Sequence, residues 1–168
     1  MRFKSSTKVS TTQHFFELWT LFAVYILPKL KIALFLAFPV IHEKNMLKEG
    51  LTYSSELTVD EAVTAIAMGS GDLPVLATPA IMALMENAAM LAVADYLPEG
   101  CTTVGGQISA THLKPTPVGE TVTANAMVTR VDGKKIEFKV EAHCGDTLLG
   151  EGTHLRFIVN KEKFMSRL

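Results

Sequence analysis

The most constraining feature of this sequence is a long apolar segment without glycine, Pro79–Tyr96, with the sequence PAIMALMENAAMLAVADY. Thr78 suits the N-cap of a helix and Pro79 suits its first position, so we predict one helix that begins here. A helix that is apolar on nearly every face is buried inside a protein. The segment is just long enough to cross a membrane, but Glu86 and Asn87 at its centre argue against that. The rest of the chain must therefore enclose this helix.

The residues before the long helix are predicted to form one strand and one short helix. Leu51–Leu57 has the pattern of a short strand. The short helix is expected to begin at Thr58, because Thr58 and Glu61 have the spacing of a capping box. It is expected to end near Gly69.

Four strands are predicted after the long helix: Thr102–Leu113, Glu120–Val131, Lys135–Cys144 and Thr147–Asn160. In the first of them, alternation places five residues on one face: Val104, Gly106, Ile108, Ala110 and His112. Turn residues at Asp132-Gly133 and Gly145-Asp146 join the later strands as hairpins. This order predicts the α+β class and the hotdog fold, in which an antiparallel β-sheet wraps around one long buried helix. Apolar parts of the helix that the sheet leaves uncovered predict a homodimer or a higher homo-oligomer.

The chain divides by composition into a leader, residues 1–45, and a hotdog domain, residues 46–168. The leader holds six basic and two acidic residues, a net charge of +4, whereas the domain holds ten basic and fifteen acidic residues, a net of −5. Pro28, Lys29 and Lys31 divide the apolar part of the leader into pieces too short to cross a membrane. Three interpretations stay open: a native start at Met46 that leaves the leader out of the native protein, a membrane anchor, or a structured extension.

The overall charge and the cysteines exclude several functions. A net charge of −1 gives no electrostatic footprint for nucleic acid. Cys101 and Cys144 are too far apart for a metal motif, and we expect free thiols in the cytoplasm. The sequence has no zinc motif, no phosphate-binding glycine loop and no G-x-S-x-G motif, so we expect no metal site.

Glu86 is the residue that most strongly indicates chemistry. A carboxylate inside a helix of Ala, Met and Leu is unfavourable unless it is paired or functional. No Lys or Arg lies within one helical turn of it in the sequence. We therefore interpret Glu86 as a candidate general base or hydrogen-bond partner.

Thr78 and His112 have structural and functional interpretations. Thr78 as an N-cap needs no other explanation, but a hydroxyl at a helix start can also attack a substrate or orient water. There, backbone N–H groups can stabilise an oxyanion. His112, placed by alternation on the face towards the helix, is either a core histidine or a proton shuttle.

Arg156 and the Gly105-Gly106 pair are candidates for binding. Alternation places Arg156 on one face with His154, where its planar guanidinium either binds phosphate or forms a structural ion pair. Glycines within a strand permit the close approach of a ligand or of the long helix. His154 and His143 are interpreted as structural or surface residues.

Four segments of this sequence resemble the fluoroacetyl-CoA thioesterase-like family of hotdog proteins. They occur in the family's order and spacing from about Leu51 to Phe164, and they are Thr78-Pro-Ala-Ile-Met-Ala-Leu-Met-Glu86, Thr103-Val-Gly-Gly, Thr111-His-Leu-Lys-Pro-Thr-Pro-Val-Gly119 and Gly150-Glu-Gly-Thr-His-Leu-Arg156.

The resemblance implies a thioesterase with Thr78, Glu86 and His112 as its catalytic residues. It also implies that Gly105 lies near the acyl carbonyl and that Arg156 lies near the coenzyme A end of the site. Family members are homodimers whose sites lie close to the subunit interface. They need no metal, and coenzyme A enters only as part of the acyl-CoA substrate.

One departure from the family pattern bears on specificity. The fluoroacetyl-specific enzyme closes its pocket with phenylalanines before the long helix, and an ungapped count places Gly69 and Asp72 there. We therefore expect hydrolysis of a short-chain acyl-CoA without selectivity for fluoroacetyl-CoA.

Three other functions are weighed against this one. A non-catalytic acyl-CoA binding protein of the same fold would bind its ligand without turnover. An enoyl-CoA hydratase would need an Asp and a His a few residues apart, and no such pair precedes the strand here. A membrane-associated protein would require the leader to be a real anchor.

Overall fold

The computed structural model describes residues 46–168, so the interpretations of residues 1–45 concern residues outside the described part. Five strands form one antiparallel sheet in the order β1-β3-β4-β5-β2. Their bounds are β1 Thr52–Thr58, β2 Cys101–Ala110, β3 Thr121–Asp132, β4 Lys135–Cys144 and β5 Thr147–Asn160. The four predicted strands after the long helix and their hairpin order are confirmed.

The long helix, α1, spans Thr78–Val93 and continues as a 3-10 turn over Ala94–Tyr96. It packs against β1, β2, β3 and β4, so one face of the sheet encloses it as predicted. The fully buried side chains of α1 include Ile81, Met85, Ala88, Ala89 and Val93. They share one core with apolar residues of the central strands, which include Val122, Val128, Ile136, Phe138 and Val140. A short helix, α2, over Lys161–Met165 ends the fold.

The predicted starts of both helices were wrong. Thr58 is the last residue of β1, and Asp60 caps the following 3-10 turn, Glu61–Val63, by accepting a hydrogen bond from Ala62 N. Ala77 precedes α1 and makes no side-chain cap, so Thr78 is the first helical residue. As a result, the Thr78 hydroxyl is not used as a cap.

A bulge in β2 interrupts the predicted alternation, so the face predicted for Gly106 was wrong. The register with β5 shifts between Gly105 and Gln107, which inverts the faces of the residues on either side. Ile108 packs on the core as predicted, but a Cβ on Gly106 would meet the ring of the exposed Phe157 on the outer face. His112 lies beyond the end of the strand and not within it.

Two glycines of β5 bring the segment after β2 close to the sheet. A Cβ on Gly150 would overlap the carbonyl oxygen of Thr111, and one on Gly152 would overlap that of Ser109. The backbone of this segment remains hydrogen-bonded to β5, with Leu113 N donating to Leu149 O at 2.6 Å. These contacts fix the position of His112.

None of the helices formed by residues 46–168 is long and apolar enough to cross a membrane.

Candidate active site

Thr78 and His112 come together at the start of α1. Thr78 Oγ1 lies 2.9 Å from His112 Nδ1. Thr78 is fixed by the first turn of the helix, and His112 by the hydrogen bonds of its neighbours to β5. The structure brings these two residues together, although they are 34 positions apart in the sequence.

A hydroxyl beside an imidazole nitrogen is the arrangement that nucleophilic catalysis requires. The ring can accept the hydroxyl proton through Nδ1, which makes the oxygen a stronger nucleophile. In the described residues His112 Nε2 is buried and has no hydrogen-bond partner. Since neutral imidazole has one donor and one acceptor nitrogen, one hydrogen-bonding capacity of this ring is unused.

The start of α1 offers fewer oxyanion donors than predicted. Pro79 has no N–H group, and Ala80 N and Ile81 N both donate to Ala77 O. The N–H group of Thr78 itself is then the first helical donor that can face a ligand.

A cavity of about 250 Å³ adjoins the Thr78–His112 pair. Its lining combines aliphatic and polar residues, and it consists of Ala65, Ser70, Val75, Leu76, Thr78, His112, Leu113, Lys114 and Pro115. None of these residues has an aromatic side chain apart from the imidazole. Gly69, with a φ of +65°, and Asp72 lie on the exposed segment before α1. The predicted absence of an aromatic lid at these two positions is consistent with this lining.

Glu86 lies in a second cluster with His154 and Arg156. Its Oε1 atom is 3.7 Å from His154 Nε2. A Cβ on Gly105 would lie 3.0 Å from that oxygen, so the glycine permits the close approach of β2 and α1. The Glu86 side chain is 41% exposed in the single chain, although full burial was expected.

Arg156 is buried, with 7% of its surface exposed. Its Nε donates to Thr103 Oγ1 at 2.8 Å, and its Nη2 donates to Thr103 O at 2.9 Å. Its Nη1 lies 3.1 Å from His154 Nε2 and 3.4 Å from Glu86 O. The guanidinium therefore lies inside the sheet beside Glu86, and not on an exposed surface where it would meet a phosphate.

Burial governs the protonation of this cluster. Burial lowers the pKa of His154, and the nearby Arg156 charge lowers it further. The hydrogen bond to Gln107 O and the Glu86 charge act in the opposite direction and raise it. Burial also lowers the pKa of Arg156, and the Glu86 charge opposes this. His154 is thus neutral near pH 7.

The two clusters are separate within one chain. Glu86 follows Thr78 by eight residues, which is about 12 Å along a helix. The sequence interpretation had placed both residues in one centre and had left His154 as structural. The alternation of β5, which put His154 and Arg156 on one face, was the available indication of the second cluster.

Comparisons with known proteins identify the family. A sequence profile of the fluoroacetyl-CoA-specific thioesterases, FlK, matches residues 59–162 and so covers both clusters. The chain belongs to this family. A fluoroacetyl-CoA thioesterase of Streptantibioticus cattleyicolor is 39% identical over 94 residues, which are 56% of this chain and 68% of that protein.

Solved structures agree with the family and the fold. The structure of the fluoroacetyl-CoA thioesterase FlK is similar with a TM-score of 0.69 and 32% identity, covering 73% of this chain and 96% of that one. A hot-dog-like protein of Thermanaerovibrio acidaminovorans has a TM-score of 0.65 at 22% identity, covering 72% and 90%. The predicted thioesterase family and the hotdog fold are therefore confirmed.

The lowered pKa of His154 predicts a pH dependence of folding. Below about pH 6.5 the unfolded chain binds a proton at His154 that the folded protein does not bind, so stability falls as pH decreases. The free energy of unfolding in urea, measured from about pH 7.5 to about pH 5, should decrease less steeply in His154→Gln than in the wild type. Equal slopes for His154→Gln and the wild type would contradict the assignment.

Proposed function

We propose that this protein hydrolyses short-chain acyl-CoA thioesters to the free acid and coenzyme A. The observation that carries the proposal is the 2.9 Å contact of Thr78 Oγ1 with His112 Nδ1 beside a cavity, in a member of a thioesterase family. An acyl-CoA binding protein that performs no reaction would not need a hydroxyl paired with an imidazole.

His112 accepts a proton while the oxygen nucleophile attacks the thioester carbonyl. If Thr78 Oγ1 attacks, the carbon–sulfur bond breaks, coenzyme A leaves with the proton from His112, and water then hydrolyses the acyl-threonine. If Thr78 instead orients a water molecule, that water gives its proton to His112 and attacks the carbonyl. The carbon–sulfur bond then breaks, coenzyme A leaves with the proton from His112, and the acid is released without an acyl-enzyme. We assign stabilisation of the developing oxyanion to the Thr78 N–H group, because Pro79 has no N–H and Ala80 N and Ile81 N donate to Ala77 O.

The cavity lining supports a short acyl group of open specificity. Aliphatic side chains such as Val75, Leu76 and Leu113 contact an acyl chain without selecting for fluorine. Gly69 and Asp72 provide no aromatic surface to close the cavity over the substrate. The protein therefore accepts short acyl groups without selectivity for fluoroacetyl.

We propose further that the enzyme is a homodimer. In it, Glu86 of one copy acts as the general base or hydrogen-bond partner at the Thr78–His112 pair of the other copy. The 12 Å rise estimated between Thr78 and Glu86 is too long for both to contact one carbonyl from the same helix. The partly exposed Glu86 carboxylate is free to face a second chain.

Two surfaces of the described chain support this dimer. Strand β2 lies at the end of the sheet, and its outer edge, including Gly106, has no partner strand among residues 46–168. Such an edge pairs readily with a symmetric copy of itself. On α1, a stripe of small residues is also exposed: Pro79, Ala83 and Asn87.

The proposed enzyme works in the cytoplasm without a metal or a cofactor. Hydrolysis by this route uses no metal and no cofactor, because coenzyme A arrives as part of the substrate. The free thiols of Cys101 and Cys144 are compatible with the reducing cytoplasm, where acyl-CoA is available. The partners we propose are the acyl-CoA substrate and a second copy of the chain, with no nucleic acid.

Hydrolysis of a panel of short acyl-CoA thioesters, followed by a thiol reagent, tests the activity. His112→Ala and Thr78→Ala should lower kcat by about 10²- to 10⁴-fold, because they remove the proton acceptor and the hydroxyl. His143→Ala provides a surface control that should retain wild-type turnover. Tight binding of acyl-CoA by the wild type without release of thiol would instead identify a binding protein.

Mixed dimers test the shared site. Glu86→Ala and His112→Ala chains, inactive alone, should regain about one quarter of the wild-type activity when co-expressed, since half of random dimers are mixed and each has one intact site. Thr78→Ala with His112→Ala should regain none, because these two residues come from the same chain. Activity that stays absent in the first mixture, with mixed dimers shown to form, would contradict the shared site.

A further inference from the structure

His154 is a buried histidine that the proposed reaction does not use. It is 2% exposed, and its Nδ1 atom lies 2.7 Å from Gln107 O. A carbonyl oxygen only accepts hydrogen bonds, so Nδ1 must carry a proton and donate it. In the neutral ring, Nε2 then has a lone pair and no proton.

The environment of Nε2 supports the same tautomer. The atom lies 3.1 Å from Arg156 Nη1, and a guanidinium only donates hydrogen bonds. Arg156 therefore donates to His154 Nε2. Protonation of Nε2 would place two donors against each other in a buried site, beside a permanent positive charge.

The contact of His154 with Glu86 is indirect. At 3.7 Å, Glu86 Oε1 is too far from Nε2 for a hydrogen bond, and a lone pair facing a carboxylate attracts nothing. The Arg156 and Glu86 charges attract each other through space, and Arg156 Nη1 donates to the Glu86 backbone carbonyl oxygen at 3.4 Å. His154 and Thr103 hold the two ends of the guanidinium.

The β2 bulge makes this arrangement possible. The ladder to β5 is interrupted between Gly105 and Gln107, and the Gln107 carbonyl accepts from the His154 ring. A Cβ on Gly105 would lie 3.4 Å from His154 Cε1 and 3.0 Å from Glu86 Oε1, so this glycine leaves room for both side chains.

We propose that His154 is a positioning residue for the thioesterase reaction: with its proton on Nδ1, it accepts from Arg156 and holds the guanidinium against the Glu86 backbone carbonyl, which fixes the place on α1 from which the Glu86 carboxylate acts. It touches no substrate and acts only through Arg156 and Glu86. This proposal rests on the proposed function, because Glu86 must serve the reaction for its position to matter.

Three substitutions of His154 separate its two hydrogen bonds. His154→Gln places an amide oxygen near the Nε2 position, where it can accept from Arg156. His154→Asn places its amide near the Nδ1 position and leaves Arg156 without this acceptor. His154→Phe keeps the ring shape and removes both bonds.

Steady-state kinetics on acetyl-CoA should then rank the variants by their contact with Arg156. His154→Phe and His154→Asn should lower kcat by about ten- to a hundredfold with little change in KM, because a misplaced catalytic group slows the reaction step. His154→Gln should retain most of the wild-type kcat. If His154→Phe does not fold, the comparison of Gln with Asn carries the test. Equal kcat for Gln and Asn, or a change in KM alone, would overturn the proposal.

Two controls separate this proposal from the proposed function. His143→Phe introduces the same ring on the neighbouring strand β4 and should leave kcat unchanged. If the wild type releases no thiol, the proposed function fails. If the wild type is active, Glu86→Ala is inactive and His154→Phe matches the wild type, only the positioning role of His154 fails.

Discussion

The burial of α1 against the sheet is the interaction on which the rest of this structure depends. The helix is so apolar that it is stable only when strands enclose it, and the central strands present matching small and branched side chains to it. This packing fixes both ends of the site. It holds Thr78 at the open end of the helix and directs Glu86, halfway along, towards the edge strand β2.

The distance along α1 between Thr78 and Glu86 then limits which of the candidate site residues one chain can bring together. Thr78 and His112 form a pair at its start, while the partly exposed Glu86 lies beside the buried Arg156 and His154 about 12 Å away. One chain therefore contains the parts of a hydrolase site at two places. In the dimer that we propose, two copies bring these parts together through the outer edge of β2, which has no partner strand among residues 46–168.

Much of the fold could be predicted from the sequence because it depends on local patterns. Alternation in Lys135–Cys144 and the turn at Asp132-Gly133 correspond to strand β4 and its hairpin. The apolar helix was evident from its composition. The Gly105-Gly106 pair indicated a close backbone approach but not the bulge itself, since the shift of register depends on the pairing of β2 with β5. For the same reason the face of His112 was predicted from an alternation that the bulge interrupts.

The candidate site, like the fold, could be predicted from the sequence only in part. Glu86 stood out because its helix is otherwise apolar, while Thr78 and His112 became catalytic candidates mainly through the family resemblance. The structure brings Thr78 and His112 together. It does not bring Glu86 to them in one chain. His154 was missed because a histidine among strand residues is usually structural. Its importance emerges only from distances to Gln107 and Arg156, which no sequence spacing encodes.

A crystal structure with an acyl-CoA analogue that carries a methylene in place of the thioester sulfur tests the central claim most directly. We predict that the analogue's carbonyl carbon lies within about 3.5 Å of Thr78 Oγ1 of one copy. The Glu86 carboxylate of the second copy should be nearer to that carbonyl than the Glu86 of the same copy. An acyl group bound away from Thr78, or approached only by the Glu86 of its own chain, would contradict the account.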